Sequence, residues 1–218
     1  MELKGKVINF LGDSITAGTG ASSPDKLFHN LIKEEYCLAA ANNYGIGGSR
    51  IARQHKDTTD GNPRYYASRV EEMDPDADAI VVFGGTNDYG HGDAPIGCFE
   101  DRTPDTFYGA CHDLFEKLIT KYPGKPIVVM TPLHRTNEFS PGRNKFPNTR
   151  VLPLVGYVDI IIEVARYYSL PVCDLYANSG IQPNVPIIRE KFCPDGLHPN
   201  DAGHVIIAQR LADTLLRV

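Results

Sequence analysis

A serine near the start of the chain has the surroundings of a nucleophile. Ser14 follows Gly12 and Asp13, directly after an apolar run at residues 6–11. A turn between a buried strand and a helix can present both the hydroxyl and the backbone N–H of such a serine to a substrate. Serine is also a common helix cap, so this motif alone leaves both interpretations open. A phosphate-binding loop is excluded, because no lysine follows before Lys26.

A carboxylate and an imidazole stand three residues apart near the other end of the chain. Asp195 and His198 lie in the segment 193–200, Cys-Pro-Asp-Gly-Leu-His-Pro-Asn. At this spacing the carboxylate can orient one ring nitrogen, so that the other nitrogen can take a proton from a hydroxyl. An Asp-Gly turn followed by a structural loop histidine is the alternative, which this segment in isolation favours.

Two further segments offer hydrogen-bond donors. Residues 43–49 read Asn-Tyr-Gly-Ile-Gly-Gly-Ser, and glycines allow backbone N–H groups to approach a ligand closely. Residues 84–88 read Gly-Gly-Thr-Asn-Asp and add the side-chain amide of Asn87. Either segment could be ordinary turn chemistry, since Gly and Asn are common in tight turns. Their positions after predicted strands favour a shared site.

The apolar pattern predicts strands that alternate with helices. The predicted strands are residues 6–11, 38–44, 79–83, 127–131 and 172–175, and the predicted helices are 24–37, 66–73, 107–122, 154–168 and 202–216. Such alternation predicts an α/β fold with a parallel sheet covered on both faces. Ligands of these sheets bind beyond the carboxyl ends of the strands. The segments with Ser14, Gly48 and Asn87 directly follow predicted strands, and Asp195 and His198 lie in the stretch beyond the last one.

These segments, in this order, resemble the sequence blocks of the SGNH subgroup of the GDSL hydrolases. The resemblance implies a three-layer α/β/α sandwich with a flavodoxin-like five-stranded parallel sheet. It also implies that Ser14 is the nucleophile, His198 the general base and Asp195 the residue that orients His198. The oxyanion hole would consist of the Ser14 N–H, the Gly48 N–H and the Asn87 amide, with Gly47 as an alternative register for Gly48.

Composition restricts the class of protein. The 218 residues carry a formal charge of -5 and 22% charged residues, which predicts one globular domain over residues 1–218. The chain has no Lys/Arg run, so we expect no nucleic-acid partner. No segment approaches the roughly 18 apolar residues of a membrane span. Five cysteines without a C-x-x-C pair predict buried free thiols and a cytoplasmic protein.

The histidine spacing and the polar loops define the expected chemistry further. Seven histidines form no His-Glu-x-x-His motif, so we expect no metal, and the resemblance requires no organic cofactor. We expect a short-acyl, acetyl-type esterase whose small-molecule ester substrate is a carbohydrate or another small polar alcohol. The expected specificity loops are residues 132–150 and 176–192. The expected substrate contacts are Asp13, Asp88, Arg50, His134 and Arg135, within a cationic rim that also includes Arg53, Arg143 and Lys145.

Two alternatives remain at this stage. A lipid or thioester acyl hydrolase would need an apolar channel or lid, and we expect no run of exposed apolar residues in the loops around the predicted site. A catalytically silent carbohydrate-binding relative would retain the fold without the chemistry. The presence of Ser14, Asp195 and His198 together argues against that second alternative.

Overall fold

The chain folds around a five-stranded parallel sheet. The computed structural model describes residues 1–55, 65–139 and 152–218. The strands are β1 (Val7–Gly12), β2 (Ala40–Gly45), β3 (Ala79–Phe83), β4 (Ile127–Met130) and β5 (Val172–Cys173). They are ordered β2-β1-β3-β4-β5, and every neighbouring pair is parallel. This order is the flavodoxin-like one, in which the chain reverses its direction of winding between β1 and β3.

Helices cover both faces of the sheet. They are α1 (Ser14–Ala17), α2 (Phe28–Glu35), α3 (Thr86–His91), α4 (Phe107–Lys121), α5 (Leu154–Tyr167), α6 (Leu175–Asn178), α7 (Pro186–Phe192) and α8 (Asp201–Leu215). The described residues also include two 3₁₀ helices, Pro24–Lys26 and Tyr66–Glu72. In the part of the chain that the structure describes, no helix has the length and apolar character needed to cross a membrane.

Strand β3 shows why the sheet requires a helical layer on each side. Ile80 and Val82 belong to the core beneath α4 and α5, whereas Val81 and Phe83 belong to the core beneath α2 and α8. All five residues of β3 are buried. A strand that is buried on both faces appears in the sequence as a continuous apolar run, which is the pattern that predicted it. The expected α/β sandwich is confirmed.

Three elements differ from the sequence-based prediction. The predicted helix 24–37 is divided, because Leu27 takes an extended conformation between the 3₁₀ turn and α2. The predicted helix 66–73 is a 3₁₀ helix. Strand β5 has two residues instead of four, because Asp174 leaves the strand and caps α6 by accepting a hydrogen bond from Ala177 N.

Candidate active site

Ser14 stands at a sharp turn from strand to helix. Strand β1 ends at Gly12 and α1 begins at Ser14. Asp13 caps α1, since its Oδ1 accepts a hydrogen bond of 3.0 Å from Ile15 N. The turn is tight enough that a Cβ added at Gly12 would lie 2.0 Å from Thr16 Oγ1. As the first helical residue, Ser14 has a backbone N–H that no intrahelical carbonyl can accept.

His198 reaches Ser14 from the opposite end of the chain. The Ser14 Oγ lies 3.0 Å from His198 Nε2, and His198 Nδ1 lies 2.6 Å from Asp195 Oδ2. Both carboxylate oxygens of Asp195 are used. Oδ2 contacts the His198 ring, and Oδ1 accepts from Leu197 N at 2.8 Å and from His198 N at 2.7 Å. A three-residue turn therefore fixes the carboxylate against the ring.

The hydrogen bonds to Asp195 keep it ionised. Partial burial opposes ionisation, but the backbone and ring N–H groups of His198 and the N–H of Leu197 outweigh it and hold the pKa of Asp195 below its usual value. An ionised Asp195 keeps the proton of neutral His198 on Nδ1, which leaves the Nε2 lone pair for the Ser14 hydroxyl. This arrangement can remove the hydroxyl proton during attack on an ester carbonyl.

The glycine-rich segment forms a turn beside Ser14. Ser49 N donates to Ile46 O at 3.2 Å, and Gly48 has a φ of 73°, a conformation that favours glycine. Ile46 N donates to Gly12 O at 3.1 Å, which holds the turn against the end of β1. A Cβ added at Gly47 would lie 3.9 Å from Ser14 Cβ. The peptide that joins Gly47 to Gly48, whose N–H belongs to Gly48, therefore lies near Ser14.

Asn87 lies in the first turn of α3, and its amide is held at both ends. Asn87 Nδ2 donates to Ser49 O at 3.1 Å, and Asn87 Oδ1 lies 3.0 Å from His91 Nε2. The side chain is buried. Because an amide nitrogen carries two hydrogens, one remains for a ligand oxygen. Helix α3 thus places a side-chain donor beside the turn that contains Gly48.

Similarity to known proteins identifies the family. Residues 10–206 match the model of the GDSL-like Lipase/Acylhydrolase family. The chain belongs to this family. It is an ester hydrolase, and its α/β/α fold is the one that the family uses.

Solved structures that resemble this GDSL-like hydrolase cover nearly its whole length. A protein from Lactobacillus plantarum is 32% identical, with a TM-score of 0.82 and 98% of each chain covered. An acetyl xylan esterase is 19% identical, with a TM-score of 0.65, over 94% of this chain and 98% of that one. A two-domain esterase active on acetylated mannans is 20% identical, with a TM-score of 0.64, over 99% of this chain and 50% of that one. Among curated proteins, none matches this chain.

The two aspartates expected to contact substrate are inside the GDSL-like hydrolase instead. Asp88 is 5% exposed and accepts from Ile51 N at 3.0 Å and Ala52 N at 2.9 Å. Burial raises its pKa to about 6, although these two backbone N–H groups oppose the rise. Burial, together with the nearby charge of Asp88, raises the pKa of Asp13 to about 7 against the hydrogen bond from Ile15. Both carboxylates accept hydrogen bonds from backbone N–H groups of the segments around Ser14 and Arg50, and both are buried.

Arg50 was also expected to contact substrate, and it too is buried, at 5% exposure. Its guanidinium contacts the Nδ1 atom of His91 and donates to His91 O at 3.4 Å. Sequence reasoning missed Arg69, which is buried and donates to Tyr44 O at 2.7 Å and to Gly12 O at 3.2 Å. Arg69 thereby ties the carboxyl ends of β2 and β1 together. The sequence feature that could have indicated Arg69 is its position as the single cation in the largely apolar segment 65–70.

The loop after β4 contributes Arg135 at the side of α3. Its Nη1 donates to Thr86 O at 3.0 Å and Thr86 Oγ1 at 3.1 Å, and its guanidinium lies over the Tyr89 ring, 5.6 Å from the centroid. Burial lowers the pKa of Arg135. In the described ranges, no carboxylate lies within ion-pair distance of this guanidinium. Arg143 and Lys145 lie outside the described residues.

Glu138 is a second residue that sequence reasoning missed. It is 1% exposed and receives His134 Nδ1 at 2.8 Å, Gln182 Nε2 at 3.1 Å and Asn184 Nδ2 at 3.3 Å. The His134 ring also packs against Tyr176, with centroids 3.8 Å apart. Glu138 therefore joins the loop after β4 to the segment after α6, and it fixes His134 with one ring nitrogen already used.

The cysteines of this hydrolase are all free. Cys111, Cys173 and Cys193 are buried as expected, whereas Cys37 and Cys98 are exposed, which corrects the expectation for those two. Cys193 is close in sequence to Asp195, but burial raises the pKa of its thiol to about 12. A protonated thiol is a weak nucleophile, so Ser14 has no competitor at this position.

Proposed function

We propose that the protein hydrolyses carboxylic esters through Ser14, His198 and Asp195. The observation that carries this proposal is the continuous contact from Ser14 Oγ to His198 Nε2 and from His198 Nδ1 to Asp195 Oδ2, at 3.0 and 2.6 Å. Ser14 Oγ attacks the ester carbonyl carbon while His198 Nε2 takes the hydroxyl proton. The same proton then passes to the alcohol oxygen as the C–O bond breaks, and the acyl group remains on Ser14.

Water completes the cycle by the same steps. His198 removes a proton from water, the hydroxide oxygen attacks the acyl carbon, and the proton returns to Ser14 Oγ as the acid leaves. In both halves the carbonyl oxygen becomes negatively charged. We assign the Ser14 N–H, the Gly48 N–H and the second Nδ2 hydrogen of Asn87 as its donors. Loss of one such donor typically costs roughly 3–4 kcal/mol of transition-state stabilisation.

The substrate that we propose has a short acyl group, such as acetyl, on a carbohydrate or another small polar alcohol. The Arg135 guanidinium, bound to Thr86 beside Asn87, and the partly exposed His134 are polar groups near the site, which suits a small polar alcohol. The similar folds of an acetyl xylan esterase and an esterase active on acetylated mannans agree with this substrate class.

Of the side chains expected to contact substrate, we retain Arg135 and His134 as candidates. The Arg135 guanidinium is bound through Nη1 to Thr86, the neighbour of Asn87, and has no carboxylate partner in the described residues. Its remaining N–H groups suit sugar hydroxyls or an acidic substituent. We expect Arg135→Gln to raise KM for acetylated sugars several-fold while kcat changes little, and steady-state kinetics on acetylated xylose measures this.

A second candidate function, hydrolysis of apolar esters, is favoured by one observation. Phe139 is 72% exposed, Ile187 64% and Val185 44%. Phe139 and Val185 each adjoin a residue of the contact between Glu138 and Asn184. An exposed group of large apolar side chains commonly marks a binding surface. Long-chain acyl esters are therefore the alternative that must be tested beside acetyl esters.

The decisive experiment compares the wild type with Ser14→Ala on p-nitrophenyl esters of two-, four-, eight- and twelve-carbon acids. We expect Ser14→Ala to lower kcat by more than about 10⁴-fold, because the nucleophile is absent. Ser68→Ala is a matched control, since Ser68 is on the 3₁₀ helix 66–72 and, within the described ranges, its hydroxyl bonds only to Tyr65 O. A fluorophosphonate should add covalently to Ser14 in the wild type, as mass spectrometry of peptides can show.

The chain-length profile separates the candidate functions. The proposed acetylesterase has its highest kcat/KM at two carbons. A maximum at eight or twelve carbons that Ile187→Ser and Phe139→Ser abolish would replace it with the apolar-ester alternative. No turnover of any ester, together with no fluorophosphonate adduct, would identify a silent relative of the family.

A further inference from the structure

The orientation of the Asn87 amide is determined by its two neighbours. A backbone carbonyl can only accept hydrogen bonds, so the atom that faces Ser49 O at 3.1 Å must be the amide nitrogen. The amide oxygen consequently faces His91, and His91 Nε2, 3.0 Å away, must carry the hydrogen of that bond. The other ring nitrogen, Nδ1, contacts the Arg50 guanidinium, which can only donate. In this chain of hydrogen bonds, Arg50 donates to His91 and His91 donates to Asn87.

We propose that His91 is a positioning residue that aims the Asn87 amide at the oxyanion. The inference depends on the oxyanion role proposed above for Asn87. An amide plane is fixed once its oxygen and one of its hydrogens are both bound, and the remaining Nδ2 hydrogen then has one direction. Without His91, the bond to Ser49 O is the one hydrogen bond among the described residues that still orients the amide of Asn87, whose terminal torsion is intrinsically broad.

The bond from His91 also strengthens the donor. When Oδ1 accepts a hydrogen bond, the amide is polarised and its N–H groups become better donors, which is the cooperative behaviour of hydrogen-bond chains. His91 lies four residues after Asn87 on α3, so helix geometry places the ring over the amide. The ring nitrogens of His91 contact Asn87 and Arg50, so His91 acts on the reaction through Asn87.

His91→Leu and His91→Gln test the proposal as a pair. Leucine removes the hydrogen bond, whereas the glutamine Nε2 can take the place of the ring Nε2 and donate to Asn87 Oδ1. On p-nitrophenyl acetate we expect His91→Leu to lower kcat about tenfold with KM within about twofold, a fraction of the loss caused by deleting an oxyanion donor. We expect His91→Gln to retain at least a third of the wild-type kcat.

A double-mutant cycle distinguishes positioning from a general structural role. In an Asn87→Ala background the amide is absent, so adding His91→Leu should change kcat by less than about twofold. The proposal is overturned if His91→Leu lowers kcat about tenfold in that background too, if His91→Gln is as slow as His91→Leu, or if only KM changes. Thermal unfolding of each variant identifies any loss that comes from misfolding, in which case His91→Gln and the cycle decide.

Failure of the proposed function would look different. If Ser14→Ala or Asn87→Ala retained wild-type turnover, the assigned site itself would be wrong, whatever the His91 variants showed. If Ser14→Ala and Asn87→Ala were both slow while His91→Leu retained wild-type kcat, the hydrolase site would stand and the positioning role of His91 would be rejected.

Discussion

The two sides of the candidate site are built differently. On the side of β1, β2 and β3, the donors around Ser14 are held by buried polar side chains that bind backbone groups: Asp88 binds the N–H groups of Ile51 and Ala52, and Arg69 binds carbonyls at the ends of β1 and β2. On the other side, the Asp195–His198 turn is near the surface, with the Asp195 side chain 54% exposed. Its geometry comes from hydrogen bonds within the turn itself.

This difference suits the two proposed tasks, oxyanion stabilisation and general-base catalysis. An oxyanion hole works because its donors are already oriented before charge develops, and buried supports provide that rigidity. A general base needs the correct tautomer, which one carboxylate can impose within a short turn. We therefore expect changes on the oxyanion side to reduce stability together with activity, and changes in the turn to reduce activity alone.

The largest effect on activity that tests this difference is expected from Asp195→Asn. The amide nitrogen would face His198 Nδ1, so the ring would carry its proton on Nε2 and could not accept one from Ser14. In a comparable triad this change lowers kcat by about 10⁴-fold. The thermal midpoint should stay close to that of the wild type, because the side chain is exposed. An equally large loss of stability would contradict the contrast between the two sides.

Asp88→Asn should reduce both stability and activity. Asparagine offers one acceptor oxygen where Asp88 now receives the N–H groups of Ile51 and Ala52, so one buried N–H loses its partner. We expect the free energy of unfolding to fall by about 1–3 kcal/mol. We also expect kcat to fall about 10–100-fold, because small displacements of reacting or stabilising groups are costly in catalysis.

Asp78→Asn is the matched control for Asp88→Asn. Asp78 also binds a backbone N–H, that of Val7 at 2.9 Å, but it does so at the amino end of β1, away from the site. It should alter stability without altering kcat. If both variants lowered kcat alike, the loss would reflect general destabilisation rather than a disturbed oxyanion side.

Glu138→Gln should have a smaller effect on activity. Glu138 is buried and binds His134, Gln182 and Asn184, so it supports the loop that carries Arg135 and no donor of the oxyanion hole. Glutamine has one acceptor oxygen in place of two, and stability should fall by about 1–3 kcal/mol. KM for acetylated sugars should rise a few-fold while kcat on p-nitrophenyl acetate stays within about threefold. A large drop in kcat would place Glu138 in the oxyanion support instead.

The same contrast explains what the sequence could predict. Ser14, Asp195, His198 and Asn87 became candidates through their residue types, the order of their segments and the resemblance to a family. Strand β3 was predictable because burial on both faces requires a continuous apolar run. Asp88 and Asp13 were expected to contact substrate, and their burial was not foreseen. Their partners are backbone N–H groups, and no side-chain pattern in a sequence indicates which backbone groups a carboxylate will meet.

The short elements near the site were missed for a related reason. Helices α3, α6 and α7 have four to seven residues, too few to show the periodicity that identified α4 and α5. Glu138 is a partner of side chains about 45 residues away, at Gln182 and Asn184, and only the folded chain brings them together.

The smallest effect on activity is expected from His204→Asn. This variant tests helix α8 independently of the exposed Asp195–His198 turn that precedes it. His204 is buried in the first turn of α8, and its Nδ1 accepts from Phe28 N at 3.2 Å. Burial, with a smaller contribution from the nearby His29, lowers the pKa of His204 from 6.5 to about 4. Asparagine Oδ1 can accept the same hydrogen bond but does not titrate, so kcat at pH 7 should be unchanged.

The stability of the two proteins should nevertheless diverge in acid. Between pH 6.5 and about 4 the unfolded wild type binds a proton at His204 that the folded protein does not, so its free energy of unfolding falls as the pH falls. The variant lacks this contribution and should become more stable relative to the wild type by up to about 3 kcal/mol at pH 4. Asp13 and Asp88, whose pKa values are raised, titrate in both proteins with the opposite sign, and the difference between the two curves removes them. Denaturant unfolding at pH 4, 5, 6 and 7 measures that difference. If the free energies of unfolding of the two proteins changed in parallel with pH, the stability of the fold would not depend on a neutral His204.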